Sequence, residues 1–292
     1  TLCLATAAPL LLAPAMNQQM WANPATQSNL ALLKERGVRF EGPASGSQAC
    51  GESGPGRMVE AADLVKAVFR GDQGSLAGRH VLVTAGPTYE DIDPVRYIGN
   101  RSSGRMGFAV AEAAVEAGAR VTLVAGPVRL DTPRGVERHD VRSALQMRDA
   151  VMAAIGSADI FIGVAAVADF RPAHVAEQKI KKDSGAPEFE LLANPDIIAE
   201  VAALDGGPLT IGFAAETEKL REHAMEKLSR KRLDMIAANR VGQEGSGFEV
   251  EENEILLLTA RGERPLGRGN KRQLARRLIE EVAEVLGPVN RP

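Results

Sequence analysis

From residue 80 onward, short runs of Val, Ile and Leu alternate with segments whose apolar residues recur every three to four positions. The runs predict strands at 80–85, 120–125, 159–164, 209–213 and 234–238. The longer period predicts helices near 107–117, 142–155, 195–203, 216–231 and 271–286. This rhythm predicts an α/β fold with a doubly wound, Rossmann-like parallel sheet. Near the end, EILLLTARGERPL predicts a hairpin added to the sheet edge.

The earlier part of the chain has a different texture. PLLLAPAM predicts a buried strand and Asn29 to Arg36 a helix; VRFEGP and the Gly-dense GPASGSQACGESGPGRM follow, then a helix over EAADLVKAVFR. A small polar stretch, GDQGSLAG, separates the two textures. The expected organisation is therefore 1–71, a linker at 72–78, and 79–292. The chain opens at Thr1 inside an apolar, core-like segment without the basic start of a signal peptide, so it is expected to lack preceding residues.

Composition narrows the function classes. A net charge of −3 gives no electrostatic case for nucleic acid or a membrane surface, and 4% aromatic residues argue against a base-stacking platform. No apolar run reaches bilayer-spanning length. Cys3 and Cys50 are too far apart for a CxxC pair, and His80, His139, His174 and His223 are scattered without metal-ligand spacing. A reducing cytoplasm is the expected setting.

Open sheets of this kind bind ligands beyond the carboxyl ends of their strands. After the first strand of the second segment comes TAGPTYEDIDPVRYIGNRSSGRMG, far longer than an ordinary strand-to-helix turn. It holds neither GxGxxG nor GxxxxGK[ST]. Asn100, Arg101, Ser102, Ser103 and Gly104 nevertheless fall just before a helix N-terminus, where free N–H groups and the helix dipole favour an anion. An ordered surface loop is the plain alternative. In GVAAVADFRPAHVAEQKIKK, small residues run to Asp169, a candidate Mg²⁺ ligand, and on to Lys179, Lys181 and Lys182, which could neutralise phosphates or simply face water. NPDI reads as a turn into a helix. In GFAAETEKLREHAMEKLSRKR, Phe213 ends a strand. Lys227 and Lys231 share a helical face, while Leu220, Ala224 and Leu228 form the stripe toward the sheet. In the first segment, Asn17 follows a strand and Cys50 sits in a Gly-rich loop, where a thiol can exchange a proton near neutral pH.

Taken in order, PAMNQQMW, ACGE, TAGPT, DPVRYIGNRSSGRMG, AAVADF, KIKK, NPDI and GFAAET resemble one family across essentially the whole chain. It is the family of bifunctional coenzyme A biosynthesis proteins that join phosphopantothenoylcysteine decarboxylase to phosphopantothenate–cysteine ligase. The resemblance implies that 79–292 couples 4′-phosphopantothenate to cysteine through an acyl-cytidylate, with CTP as co-substrate and Mg²⁺ as the metal. By the same resemblance Gly163, Val164, Ala165, Asp169, Lys179, Pro195, Asp196, Ile197, Ile198, Phe213, Lys227 and Lys231 match CTP-binding positions. Asn100 matches the residue that carries the acyl-cytidylate forward, and Arg101, Ser102, Ser103 and Gly104 belong to the loop that cradles phosphopantothenate. The first segment resembles the C-terminal part of a flavodoxin-like, FMN-dependent decarboxylase, in which Asn17 would grip the substrate and Cys50 donate a proton. The part with most of the FMN pocket and the family's catalytic His would precede this chain. The family further implies a homodimer through the ligase domain, and a higher homo-oligomer when the decarboxylase domain is complete. A Rossmann-type NAD(P) oxidoreductase is the rival reading, weakened by the missing GxGxxG.

Overall fold

The computed structural model describes residues 6, 10–36, 38–47, 51, 53–69, 74–181, 188–216, 218–240 and 252–287. The chain divides into two compact units, Thr1–Asp72 and Gln73–Pro292.

In the first unit, β1 (Leu11–Leu12) pairs in parallel with β2 (Arg39–Phe40) across two helices, α1 (Gln18–Ala22) and α2 (Pro24–Glu35). The second helix starts earlier than the expected Asn29. Asn23 caps it by accepting from Ala25 N–H, and Pro24 occupies the first turn, where its missing N–H costs nothing. The Gly-dense stretch forms an antiparallel hairpin of β3 (Ala44–Ser47) and β4 (Ser53–Arg57), before α3 (Ala61–Phe69).

In the second unit the elements run β5 (His80–Ala85), β6 (Tyr89–Asp91), β7 (Tyr97–Gly99), α4 (Arg105–Glu116), β8 (Arg120–Ala125), β9 (Val136–Asp140), α5 (Ala144–Ile155) and β10 (Ile160–Gly163). They continue through β11 (Phe170–Pro172), β12 (Leu191–Ala193), α6 (Ile197–Ala202), β13 (Leu209–Glu216), α7 (Leu220–Lys231), β14 (Met235–Arg240), β15 (Glu252–Thr259), β16 (Gly262–Asn270) and α8 (Lys271–Leu286). One sheet has the order β16-β15-β14-β13-β10-β5-β8-β9. It is parallel except for the β14–β15–β16 edge, the hairpin expected from EILLLTARGERPL. The sequence pattern missed β9, because this edge strand (VERHD) is largely exposed and carries charges in place of an apolar run.

Strand alternation splits the core between the two faces. Val81, Val83, Ile211, Met235, Ala237, Ile255 and Leu257 pack against α4 and α8, whose Phe108, Val110, Leu274 and Leu278 are buried. On the other face Leu82, Val124 and Phe161 meet α5 and α6, and Ala214, Ile236 and Leu258 meet α7. Helix α4 lies tightly on β5. A Cβ added at Gly107 would come within 2.5 Å of the Ala85 Cβ. Successive strands depart in opposite directions from the β5–β10 pair, and that reversal opens a crevice at their carboxyl ends.

Candidate active site

The connection from β5 to α4 is built, not slack. It folds into the β6–β7 hairpin, with the Tyr89 and Tyr97 rings stacked at 3.9 Å. Arg142 holds Asp91 through two hydrogen bonds of 2.6 and 2.9 Å, which keeps the Asp91 carboxyl below its ordinary pKa. Buried Glu90 accepts from Ala144 N–H at the start of α5. Asp93 is 1% exposed and accepts from the Arg96 guanidinium and from the N–H groups of Val95, Arg96 and Ile180. The Arg96 guanidinium first, then those N–H groups, hold its carboxyl far below the usual carboxylate range. A surface loop would not need this many fixed charges.

The segment then meets the connection after β10. Ala166 N–H donates to Gly86 O at 2.9 Å, Thr88 N–H donates to Ala166 O, and Ala168 N–H donates to the Thr88 hydroxyl oxygen at 3.0 Å. Asn100 Nδ2 donates to the carbonyls of Ala166 and Val167, both at 3.1 Å. Both amide hydrogens are thereby engaged, and the amide oxygen remains available to a ligand. Gly104 adopts the left-handed conformation (φ 75°) at the start of α4, the turn that aims the first N–H groups of the helix outward. Across the opening, Asn194 Nδ2 donates to Ala168 O, and Asp196 caps α6 while accepting from Lys231 Nζ at 2.9–3.0 Å.

These pieces enclose a cavity of about 510 Å³ at the carboxyl ends of the strands. It is lined by Asn100, Ser102, Ser103, Gly104, Gly163, Val164, Ala165, Asp169, Pro195, Asp196, Ile197, Ile198, Phe213, Lys227 and Lys231. Arg101 and Lys179 do not line it. Lys179 is exposed, next to Ile180, whose N–H and carbonyl are tied to Asp93 and Arg96. Lys182 and Cys50 lie outside the described residues. In the first unit, Asn17 caps α1 by accepting from Gln19 N–H at 2.7 Å, and the neighbouring Met16 N–H donates to Gly56 O of β4.

Arg105, Asn239, Asn253 and Lys271 also line the cavity without being site residues in the sequence reading, as does Asn194, which figures there only as the start of the NPDI turn. A signal did exist for two. Asn239 falls in phase with the core residues Met235 and Ala237, and Asn253 in phase with Ile255 and Leu257. An amide where the pattern calls for an apolar side chain marks a rim that faces something other than core.

Among the described residues no three His, Cys, Asp or Glu side chains are grouped to hold a metal by themselves. Asp196 is engaged by Lys231, whereas Asp169, the other carboxylate on the cavity wall, has no ion pair among the described residues. One carboxylate on the wall of an open cavity is a donor that Mg²⁺ can use, because that ion completes its shell with water and substrate oxygens. No helix among the described residues is long and apolar enough to cross a membrane.

The chain, with its crevice at the switch point of a doubly wound sheet, matches two family models. One describes the C-terminal domain of a DNA/pantothenate metabolism flavoprotein and matches residues 76–286; the other, a flavoprotein, matches 1–71. The chain belongs to the family of bifunctional coenzyme A biosynthesis proteins. It is 50% identical to the coenzyme A biosynthesis bifunctional protein CoaBC of Vibrio vulnificus strain CMCP6, over 98% of this chain and 73% of that protein. It is 48% identical to the Escherichia coli K12 protein of the same name, over 100% and 73%. A crystal structure of the C-terminal domain of CoaBC superposes with a TM-score of 0.63 at 37% identity, covering 73% of this chain and 98% of that one.

Proposed function

We propose that the second unit is a CTP-dependent phosphopantothenate–cysteine ligase, joined to a unit of a phosphopantothenoylcysteine decarboxylase in coenzyme A biosynthesis. The observation that carries the reading is the convergence of four separate post-strand segments on one cavity, with Asn100 held by two carbonyls at its wall. An oxidoreductase has no comparable support. The β5–α4 connection is a braced hairpin, not a short dinucleotide-binding turn.

A carboxylate is a poor electrophile toward an amine. Its oxygen therefore attacks the α-phosphorus of CTP, a phosphorus–oxygen bond forms, and pyrophosphate leaves. The cysteine amine then attacks the carbonyl carbon of the acyl-cytidylate, CMP leaves with the bonding pair, and the amine loses a proton. The first step brings two anions together, so cations must offset the repulsion. Lys227, the Lys231–Asp196 pair and the N-terminus of α4 are placed for that. The base and ribose occupy the wall of Gly163 to Ala165, Pro195 to Ile198 and Phe213. Asn100 presents its amide oxygen toward the activated acyl group, orienting the incoming amine through an N–H hydrogen bond. Mg²⁺, held by Asp169, would supply charge neutralisation at the phosphates. Ser102, Ser103 and Gly104 contact phosphopantothenate, while Arg101 and Lys179, both outside the cavity lining, supply further positive charge from the edge of the opening. A homodimer through the ligase unit, and a higher homo-oligomer in the full-length protein, complete the reading.

In the decarboxylase unit, FMN provides the redox chemistry when bound. No flavin step is assigned to the described residues of this unit. Asn17 as a substrate contact and Cys50 as a proton donor follow from the family pattern.

The test is pyrophosphate release that requires phosphopantothenate, cysteine and CTP together. Equal turnover with ATP, or release without cysteine-dependent product, would overturn the reading.

A further inference from the structure

Asp93 is a buried carboxylate that the chemistry above does not use. It is 1% exposed, and a carboxylate in such a place is tolerated only where charge and hydrogen bonds replace water. Its two oxygens have different tasks. Oδ1 accepts from Val95 N–H at 2.8 Å and Arg96 N–H at 2.9 Å, which closes the turn between β6 and β7. Oδ2 accepts from the Arg96 guanidinium at 2.6 and 3.0 Å and, at 3.2 Å, from Ile180 N–H, 87 residues further along the chain. Arg96 Nη2 also donates to Ile180 O at 2.8 Å. Ile180 is therefore gripped at its N–H by the carboxylate and at its carbonyl by the guanidinium. A turn alone needs only the Oδ1 bonds.

The same turn holds this segment at a second point, where Ala176 N–H donates to Ile92 O at 2.9 Å. Between the two anchors Glu177, Gln178 and Lys179 are exposed. A lysine stem is long and flexible, so its ammonium is aimed only as well as the backbone beneath it is fixed. In the other direction the turn leads through β7 into Asn100, whose amide is bonded to the Ala166 and Val167 carbonyls. One braced hairpin thus carries Asn100 at its end and the lysine segment at its tip. We infer that Asp93 is a positioning residue for the first half-reaction: it latches Ile180 to the β6–β7 turn and so sets where the Lys179 ammonium stands relative to Asn100 and the triphosphate. The inference rests on the ligase reading for the task of Lys179, while the latch itself is measurable without substrate.

Two measurements on the 292-residue chain test this. Asp93→Asn keeps an oxygen to close the turn and sets an NH₂ group against the guanidinium and Ile180 N–H. Amide exchange of Ile180, followed without ligand, should quicken about tenfold or more. Acyl-cytidylate formation from phosphopantothenate and CTP, with cysteine left out, should slow about threefold or more, the scale of one coupled contact. In a Lys179→Ala background the same substitution should change that rate by less than about 1.5-fold, because the ammonium it positions is gone. Equal slowing in both backgrounds would show a loss that does not pass through Lys179 and would overturn the positioning role, as would unchanged exchange at Ile180. Circular dichroism reports whether Asp93→Asn is folded. If it is not, Ile180→Pro removes the latch donor while leaving the Asp93–Arg96 pair, and its rates in the two backgrounds decide the matter. Wild type that forms no acyl-cytidylate sinks the ligase reading, and with it the task given to Lys179. Wild type and Asp93→Asn that form it equally fast sink the positioning role and leave the ligase reading standing.

Discussion

The two faces of the sheet bring different chemistry to one cavity. On the α6–α7 face, the cations sit on the flank of a helix, where Lys231 lies 2.9 Å from Asp196. On the α4–α8 face, positive potential comes from two helix starts, and the polar side chains replace core residues on neighbouring strands. The first face resembles a surface that has been folded inward. The second is a core left open at its end. The difference teaches that a charged helix flank announces itself in sequence, whereas a polar rim within a hydrophobic layer does not.

The largest expected effect concerns the residue that joins the two post-strand connections. Asn100→Asp would set a carboxylate against the Ala166 and Val167 carbonyls, which now accept from the amide. Turnover should fall about 100-fold or more, the scale seen when one preorganised polar group is lost from a transition state. Quenched reactions analysed by mass spectrometry should show accumulated acyl-cytidylate; unchanged turnover would remove Asn100 from the site.

Next comes the paired cation. Lys231→Ala would leave Asp196 as an uncompensated negative charge on the cavity wall, and the KM for CTP should rise about tenfold or more. Lys179→Ala provides the sharper contrast, since Lys179 stands outside the lining. It should slow acyl-cytidylate formation by a smaller factor than Lys231→Ala. Normal formation of the intermediate would exclude Lys179 from the triphosphate.

A third prediction tests whether the α4 start depends on close packing. Gly107→Ala must push α4 away from Ala85, costing about 1–3 kcal/mol of stability in overpacking. Thermal melts would register the loss, and CTP affinity should fall with it because Gly104 moves with the helix. Full stability in the variant would mean that the α4–β5 contact relaxes freely.

The smallest effect is a pH dependence. The Asp93 carboxyl is more acidic folded than unfolded, so its stabilising contribution is present above the ordinary carboxylate range. That contribution is lost as the pH falls through the lower, folded pKa. Asp93→Asn should lower the melting temperature at neutral pH and flatten its decline toward acid. A variant whose acid limb matches the wild type would show that other carboxylates dominate.

Much of the fold was legible because its cues are local. The predicted strand over 80–85 and helix over 271–286 coincide with β5 and α8, since six consecutive buried residues in one case and a repeated apolar stripe in the other leave little ambiguity. The terminal hairpin was legible for the same reason. Less could be read from polar segments. Strand β9 carries exposed charges in place of an apolar run, and the β6–β7 hairpin carries charges whose partners, Arg142 for Asp91 and Ile180 for Asp93, are distant in sequence. Fifteen of the second unit's candidate residues line one cavity because the ends of β10 and β13, the connections after β5 and β10, the turn from β12 into α6 and the flank of α7 meet at one rim, whereas Arg101 and Lys179 show that lying near such a segment does not fix where a side chain goes.

The sequence by itself determined the alternation of strand and helix, and the places where the chain turns at the ligand-bearing rim. Hydrophobic period and capping chemistry act over a few residues, so they are written in the order of the letters. Only the tertiary structure decided which rims meet. Asn253 becomes a cavity residue because β15 runs antiparallel beside β14, and Lys271 joins it because α8 packs along α4. Their conjunction depends on strand order and helix packing, which bring together groups that no local pattern connects.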